Sequence, residues 1–253
     1  MTVHFIGAGP GAADLLTLRG RDLINASPVC IFAGSLVPRE VLAHAQPGTR
    51  MINSAEMHLD EIIAQIVRAH AERLDVARIH SGDVSIWSTL AEQTRRLTAL
   101  GIPFDVTPGV PAFAAAAAAI QQELTLPSVA QTVILTRTAT QSTPMPNGED
   151  LATLGRSGAT MAIHLSITNL KHVVSDLLPL YGADCPVVVA HRATWPDQLI
   201  LRSTLFSIEE AVSRSGISSN ALILVGRSLG AGAFGESYLY SAGRERNVEG
   251  DRT

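Results

Sequence analysis

Short apolar runs alternate with helical patterns along the first 110 residues. Four runs are rich in β-branched residues, which predicts strands at residues 3–6, 29–32, 76–79 and 104–106. Between the second and third of them, apolar residues recur at offsets 0, 3, 4, 7 and 8, as expected for one buried helical face: Leu59, Ile62, Ile63, Ile66 and Val67. Strands that alternate with helices indicate a parallel sheet joined by crossover connections.

A second series of elements follows the Ala-rich segment 112–119, which predicts a closely packed helix. Strands are predicted at residues 132–135, 160–165, 186–190 and 221–225, and residues 198–205 form a further strand or part of a hairpin. The same helical spacing returns at Leu170, Val173, Val174, Leu177 and Leu178. The chain is therefore predicted to be an α/β protein.

The predicted organisation is two α/β domains, each with a largely parallel or mixed sheet flanked by helices. Two prolines and Gly109 mark a boundary at residues 108–111, which gives domains at 1–110 and 111–241. The charged segment 242–253 lacks apolar anchors and is predicted to be a disordered tail. Ligands of open α/β sheets bind outside the carboxyl ends of strands, so the active site is expected in the interdomain cleft.

Composition narrows the class of protein. With 46% hydrophobic and 17% charged residues, the 253-residue chain is expected to be globular. The longest apolar stretch, residues 110–120, is about half of what a bilayer requires, so we expect a soluble, unprocessed chain and no membrane partner. Cys30 and Cys185 each lie in an apolar run, which points to a reducing, cytoplasmic location. A net charge of −4 argues against a nucleic-acid partner.

The strongest local motif is a glycine-rich turn after the first predicted strand, where a helix is expected to follow directly. Gly7, Gly9 and Ala12 match the relaxed dinucleotide fingerprint GxGxxG/A. Pro10, however, removes one of the N–H donors that a phosphate would need, and the second strand ends without an acidic residue for the ribose. A nicotinamide cofactor is therefore disfavoured, a P-loop is excluded because GK[ST] is absent, and a purely structural tight turn remains open.

Four motifs in order resemble those of the tetrapyrrole methylase family and cover nearly the whole chain. They are GAGPGAADLLTLRG (7–20), IHSGDVSIW (79–87), VTPGVPAFAAAAA (106–118) and PVVVAHRATWPDQ (186–198). Within the family, three further segments are most similar to the branch that methylates C11 of precorrin-4 or cobalt-precorrin-4 in cobalamin biosynthesis. These are AGSLVP (33–38), EMHLDEI (56–62) and LTLPSVAQTVILTR (124–137).

The resemblance implies a homodimer that uses S-adenosyl-L-methionine and takes a polycarboxylate corrin precursor as substrate. Carried over by position, the cofactor-binding residues are Pro10, Ser81, Gly82, Asp83, Ile86, Pro111, Ala112, Leu165 and Ala193. Candidate substrate-binding residues lie in the three branch-like segments: Ser35, Glu56, His58 and Arg137. This chain departs from the family pattern at Ala12, where many members have Asp, and at Val84, which replaces the proline of a GDP motif. Gly34 stands where some relatives that methylate earlier intermediates carry an acidic residue.

Methyl transfer from a sulfonium needs orientation of the reacting carbons more than an activated nucleophile. A base must still remove a proton, and Glu56, His58 and Asp60 are candidates, although Asp60 also suits a helix start. No catalytic residue is assigned. His80, His164 and His191 lie near strand ends and are expected to be packing residues and not metal ligands. Three alternatives stay open: methylation of another tetrapyrrole carbon, an NAD(P)-dependent oxidoreductase, and a non-catalytic tetrapyrrole carrier.

Overall fold

The computed structural model describes residues 1–139, 143–230, 232 and 234–235, without the side chain of Ser35. The chain forms two compact units. The first consists of Met1–Ala119 together with Arg192–Leu199, and the second begins with Ile120–His191 and resumes at Ile200. The predicted boundary at residues 108–111 lies inside the first unit, and the division into domains stays a prediction. The predicted tail, residues 242–253, lies outside the described residues.

The first unit contains a five-stranded sheet in the order β3-β2-β4-β1-β5. Its strands are β1 (Val3–Gly7), β2 (Val29–Phe32), β3 (Arg50–Asn53), β4 (Val76–His80) and β5 (Phe104–Thr107). Every pair for which a register is resolved is parallel, as predicted from the alternating pattern. Only β3 was missed, because this edge strand has alternately exposed residues and no continuous apolar run.

Helices flank the first sheet and build a core on each of its faces. They are α1 (Leu18–Ala26), α2 (Arg39–Leu42), α3 (Leu59–Ala71), α4 (Leu90–Ala99) and α5 (Ala112–Ala119). Phe5 belongs to one apolar cluster and Ile6 to the other, since successive side chains of a strand point to opposite faces. Helix α3 buries Ile66 as predicted, but Val67 is 41% exposed, because the buried face continues to Ala69 instead.

The second unit contains a mixed sheet in the order β6-β7-β10-β8-β9. Its strands are β6 (Val133–Arg137), β7 (Thr160–His164), β8 (Pro186–His191), β9 (Leu199–Thr204) and β10 (Ala221–Val225). Strand β6 runs parallel to β7, whereas β10 is antiparallel to both β7 and β8. The mixed sheet and the strand expected within residues 198–205 are confirmed. The strand predicted at 160–165 is one residue too long, because Leu165 has a left-handed φ of 53°.

Three helices complete the second unit: α6 (Leu151–Leu154), α7 (Leu170–Tyr181) and α8 (Ile208–Ser215). Helix α7 carries the predicted apolar face, and Val173 and Leu177 are fully buried against the sheet. In the part of the chain that the structure describes, no helix has the length and apolar character that would cross a bilayer.

Candidate functional site

Three glycines bring the carboxyl ends of β1, β4 and β5 into backbone contact. A Cβ on Gly109 would lie 2.2 Å from the carbonyl oxygen of Gly82, and a Cβ on Gly7 would lie 2.5 Å from the nitrogen of Gly109. No side chain fits at such distances, so only glycine is compatible with this arrangement. Because the three strands are parallel, their carboxyl ends meet at one edge of the sheet, where α/β proteins bind ligands.

Asp83 holds two of these loops together. Its Oδ2 accepts the backbone N–H of Gly109 at 2.8 Å, and its Oδ1 accepts the N–H and the hydroxyl of Ser85. Partial burial acts to raise the pKa of Asp83, but these hydrogen bonds outweigh it and leave the pKa below its ordinary value. An ionised Asp83 carboxylate therefore fixes the loop Ser81–Ile86 from inside, and its contact with a cofactor stays a prediction.

Three backbone donors of the glycine turn are already occupied. The N–H of Ala8 donates to His80 O at 2.7 Å, that of Gly9 to Gly82 O at 3.1 Å, and that of Ala12 to Thr194 Oγ1 at 3.0 Å. Pro10 has no N–H to offer. A dinucleotide phosphate needs several free donors at this place, so the geometry removes the main support for a nicotinamide cofactor.

The helix expected directly after the glycine turn begins later than predicted. A short 3-10 helix, Ala13–Leu15, follows the turn, and α1 starts only at Leu18. Thr17 sets this start, because its hydroxyl accepts the N–H of Gly20 at 3.1 Å. The N-terminus of α1 is therefore separated from the glycine turn, whereas a dinucleotide fingerprint requires the helix to begin at the turn.

A segment far along the chain closes over the glycine turn within the first unit. The indole N–H of Trp195 donates to Pro10 O at 2.8 Å, across 185 positions of sequence. A Cβ on Gly11 would lie only 2.3 Å from Trp195 Cδ1, so this glycine is required by contact with the indole. Arg192 lies 4.2 Å from the ring centroid of Trp195 and pairs with Asp197. Trp195 therefore packs against the glycine turn and fixes it.

Eight of the nine predicted cofactor-binding residues belong to the first unit. Seven of them lie in the glycine turn or in loops, and one is the first residue of α5: Pro10, Ser81, Gly82, Asp83, Ile86, Pro111 and Ala193 are the seven, and Ala112 is the eighth. Sequence reasoning missed Thr194 as a partner of the turn and treated Gly109 only as punctuation. The motif at residues 106–118 contains Gly109 and could have indicated its role, whereas no sequence pattern relates Thr194 to Ala12.

The loops after β2 and β3 carry the candidate substrate-binding residues of the first unit. Ser35 lies in the 3-10 helix Gly34–Leu36, and its side chain is outside the described part of the structure. Glu56 and His58 are both exposed, and the N–H of His58 donates to Glu61 Oε2 at 2.7 Å at the start of α3. The structure thus leaves the carboxylate of Glu56 and the imidazole of His58 accessible to solvent.

Positions 34 and 60 of this region offer less to a proton-acceptor role than Glu56 and His58. Gly34 has φ 36°, and a Cβ there would lie 2.8 Å from Ala55 Cβ, so an acidic side chain at position 34 would be strained. Asp60 is 84% exposed and pairs with Arg96, and hydrogen bonding to Arg96 lowers the pKa of Asp60. Of the three candidate bases, Asp60 therefore acts in the α3–α4 surface pairing.

The second unit contains the remaining two predicted residues. Arg137 donates to the carbonyl oxygens of Thr138 and Thr143, each at 3.1 Å, and of Pro144 at 3.4 Å. The guanidinium of Arg137 therefore organises the chain after β6. Leu165 is 64% exposed and left-handed, an unusual conformation for a bulky residue, and such residues cluster at ligand sites.

His80 and His164 end β4 and β7 as largely buried side chains. Burial, with the nearby charge of Arg78, lowers the pKa of His80 to about 3, and burial lowers that of His164 to about 4. Both imidazoles are thus neutral at pH 7. No cluster of three or more histidine, cysteine or acidic residues suited to a metal ion occurs among the residues described.

Comparison with known proteins agrees with this geometry. Residues 2–209 match the family model of the tetrapyrrole (corrin/porphyrin) methylases. The precorrin-4 C(11)-methyltransferase of Sinorhizobium sp is 55% identical over 99% of both chains. The X-ray structure of a cobalamin biosynthetic enzyme, cobalt precorrin-4 methyltransferase, superposes with a TM-score of 0.87 at 38% identity, covering 90% of this chain and 95% of that one.

A second solved structure shares the fold at lower identity. The uroporphyrin-III C-methyltransferase of Thermus thermophilus, crystallised with S-adenyl homocysteine, superposes with a TM-score of 0.76 at 24% identity, covering 90% of this chain and 93% of that chain. This likeness shows the fold alone, and the family model over most of the chain and the 55% identical relative decide the family. The chain belongs to the tetrapyrrole (corrin/porphyrin) methylases.

Proposed function

We propose that the protein transfers a methyl group from S-adenosyl-L-methionine to C11 of precorrin-4, giving precorrin-5 and S-adenosylhomocysteine in cobalamin biosynthesis. The observation that carries this proposal is the similarity to a precorrin-4 C(11)-methyltransferase over nearly the whole of both chains. The protein is then a C-methyltransferase whose work is to hold two substrates in one orientation.

The loops at the carboxyl edge of the first sheet suit a cofactor that has no phosphate. S-adenosylmethionine does not need the backbone donors that Ala8, Gly9 and Ala12 have already committed. At Gly82 a Cβ would meet no protein atom within 4 Å, so the outer side of this loop is open to a ligand. We assign the cofactor to the eight predicted residues of this unit, and the role of Leu165 stays a prediction from the family resemblance.

The chain's own residues supply positioning. Asp83 fixes the loop Ser81–Ile86, and the indole N–H of Trp195 engages the carbonyl of Pro10. When bound, the cofactor would supply a methyl group on a sulfonium sulfur, which leaves as a neutral thioether. Because the methyl arrives as a cation equivalent, the macrocycle must release one proton from another of its atoms, and Glu56 and His58 are the exposed groups we propose to accept it. No activated serine or cysteine is needed.

Labelled methyl transfer tests this function. The purified protein is incubated with precorrin-4 and with cofactor carrying a ¹³C methyl group, and the product is mapped by NMR. One labelled methyl on C11 is the expected result, and parallel incubation with cobalt-precorrin-4 measures the preference for metal. Label on another carbon would show that the enzyme methylates a different position of the tetrapyrrole. Bound pigment without label would favour a non-catalytic carrier.

We also propose a homodimer located in the cytoplasm. The dimer is the assembly that the family resemblance implies, and the two free cysteines, Cys30 and Cys185, are both buried. Burial raises the pKa of each thiol to about 11, so neither is reactive at neutral pH. Sedimentation equilibrium should give twice the chain mass of 26.8 kDa, and a single chain mass at micromolar concentration would refute the dimer.

A further inference from the structure

Arg78 is a buried cation that has no carboxylate partner in the part of the chain described. It lies in the middle of β4 with 4% of its surface exposed, and no ion pair among the described residues includes it. Burial lowers the pKa of Arg78 to about 10, so the guanidinium remains charged at neutral pH. A buried charge without a counter-charge is costly, and its hydrogen bonds must account for its presence.

The guanidinium of Arg78 contacts three different elements of the first unit. Its Nε donates to Gln93 Oε1 at 3.0 Å, and NH1 donates to Ser54 Oγ at 3.2 Å and to Ile31 O at 3.4 Å. Ile31 belongs to β2, Ser54 follows β3, and Gln93 lies in α4. One side chain of β4 therefore joins β2, the loop after β3 and a helix.

Ser54 transmits this contact to the loop that carries the exposed Glu56 and His58. Both its N–H and its hydroxyl donate to Phe32 O, at 2.8 Å and 3.0 Å, so the loop begins on the end of β2. Because Arg78 donates to the same hydroxyl, it orients the hydroxyl proton towards Phe32. The start of the loop is thus fixed from within the sheet.

Gln93 transmits the second contact to the far end of the loop after β4. With its oxygen engaged by Arg78, the amide must present its NH₂ group to Thr89, where it donates to the carbonyl at 3.2 Å and to Oγ1 at 3.0 Å. Thr89 is left-handed, with φ 58°, which is rare for a β-branched residue and needs support from its surroundings. Gln93 is fully buried and supplies that support.

We infer that Arg78 is a positioning residue for the tetrapyrrole substrate, because its hydrogen bonds hold the loop after β3 and, through Gln93, the Thr89 end of the loop after β4. Asp83 holds the opposite, cofactor-side end of that loop through Gly109. Arg78 therefore governs orientation of the methyl acceptor and leaves cofactor binding to the glycine contacts. This inference deepens the proposed function and rests on it.

Steady-state kinetics of the full-length protein test the inference, with variants Arg78→Met, Arg78→Lys and Gln93→Met. Each should lower kcat/KM for precorrin-4 by between about tenfold and a hundredfold, the range in which small misplacements act. Affinity for S-adenosylhomocysteine, measured by calorimetry, should stay within about twofold of wild type. Arg68→Met is the matched control, since Arg68 is an exposed arginine of α3 and should change neither quantity.

Arg78→Lys separates geometry from charge, because an ammonium keeps the charge but cannot reproduce the planar fork of a guanidinium. Wild-type kinetics in Arg78→Lys would overturn the inference, as would an equal loss of S-adenosylhomocysteine affinity in Arg78→Met. If Arg78→Met does not fold, Thr89→Gly takes its place, because glycine adopts φ 58° freely and the variant removes the anchored side chain while the carbonyl acceptor remains. Unchanged kcat/KM in Thr89→Gly would also overturn it. A wild type that binds S-adenosylhomocysteine but does not methylate precorrin-4 would refute the proposed function instead.

Discussion

The two units tie neighbouring strand ends together in different ways. In the first unit the loops after β1, β4 and β5 touch through backbone, and glycine is required at Gly7 and Gly109. In the second unit the chain after β6 is joined to the chain after β7 by side chains. Ser166 Oγ accepts the N–H of Thr138 at 2.7 Å, and Asn169 donates to Thr138 Oγ1 at 2.9 Å.

The two arrangements differ in the substitutions they tolerate and in whether they can be recognised as a sequence motif. A backbone contact admits no added atom, so its glycines form a motif that can be recognised. A hydroxyl network needs only correctly placed donors and acceptors, and Ser166, although fully buried, belongs to no motif that we recognised. We therefore expect large effects from added volume in the first unit and effects of a lost hydrogen bond in the second.

The largest effect is expected for Gly109→Ala. The new methyl group would lie 2.2 Å from Gly82 O and 2.8 Å from the backbone of Gly7, so strands or loops must separate. We expect a loss of about 3 kcal/mol in the free energy of unfolding and loss of S-adenosylhomocysteine binding. Gly101→Ala is the comparison variant, because Gly101 has a left-handed φ of 66°, which Gly109 lacks, and open space around it, so the variant measures backbone strain without contact and should cost about 1 kcal/mol. Equal losses in urea denaturation would show that the contact at Gly109 costs no more than backbone strain alone, which would contradict the account.

Ser166→Ala should have the next largest effect. The substitution leaves the buried N–H of Thr138 without its acceptor, which should cost about 2 kcal/mol. The matched control is Ser213→Ala on the exposed side of α8, where a change within about 0.5 kcal/mol is expected. A loss no greater than that of the control, measured by urea denaturation, would contradict the role of the hydroxyl network.

Asp83→Asn should cost about 1 kcal/mol at pH 7, because the amide keeps the shape but loses the charge that accepts from Gly109 and Ser85. The pKa of Asp83 is lower in the folded protein than in the unfolded chain. Its contribution is therefore complete above about pH 5 and disappears as the pH falls through the lowered pKa. Urea denaturation at pH 7, 5 and 3 should show the gap between wild type and variant closing at low pH, and a gap that widened would exclude an ionised Asp83.

Trp195→Phe should have the smallest effect. One aromatic ring remains, whereas the five-membered ring of the indole is lost with its hydrogen bond to Pro10 O, and we expect that bond to account for most of a change of about 0.5–1 kcal/mol. Trp195→Ala is the companion variant and should lose more, because the contacts with Gly11 and Arg192 disappear as well. If the two variants lost equal stability, the ring would contribute nothing to the glycine turn.

Much of the fold could be predicted because its strands are continuous apolar runs. Residues 29–32 and 221–225 were predicted with their observed bounds, since both strands are buried on both faces. Helix α1 was placed too early because its sequence is polar and contains Gly20. A Cβ on Gly20 would lie 3.0 Å from the side chain of Ile6, so tertiary contact explains a residue that lowers helix propensity.

The candidate site could be predicted only in part, for a physical reason. Residues adjacent in sequence, such as Ser81, Gly82 and Asp83, share a motif. The hydrogen bonds from Ala12 to Thr194 and from Trp195 to Pro10 join residues more than 180 positions apart, and the local sequence pattern carries no information about them. The three contacts of Arg78 are equally non-local. An arginine between apolar residues of a strand has the pattern of an ordinary half-exposed strand, so its burial could not be predicted from the sequence.

The central claim is that the glycine turn of the first unit belongs to a cofactor site that needs no free phosphate donors. Calorimetric titration of the full chain with S-adenosylhomocysteine, and separately with NADP, tests it most directly. The account predicts saturable binding of S-adenosylhomocysteine that is abolished by Gly109→Ala, with no heat from NADP. Saturable micromolar binding of NADP, together with no binding of S-adenosylhomocysteine, would contradict it.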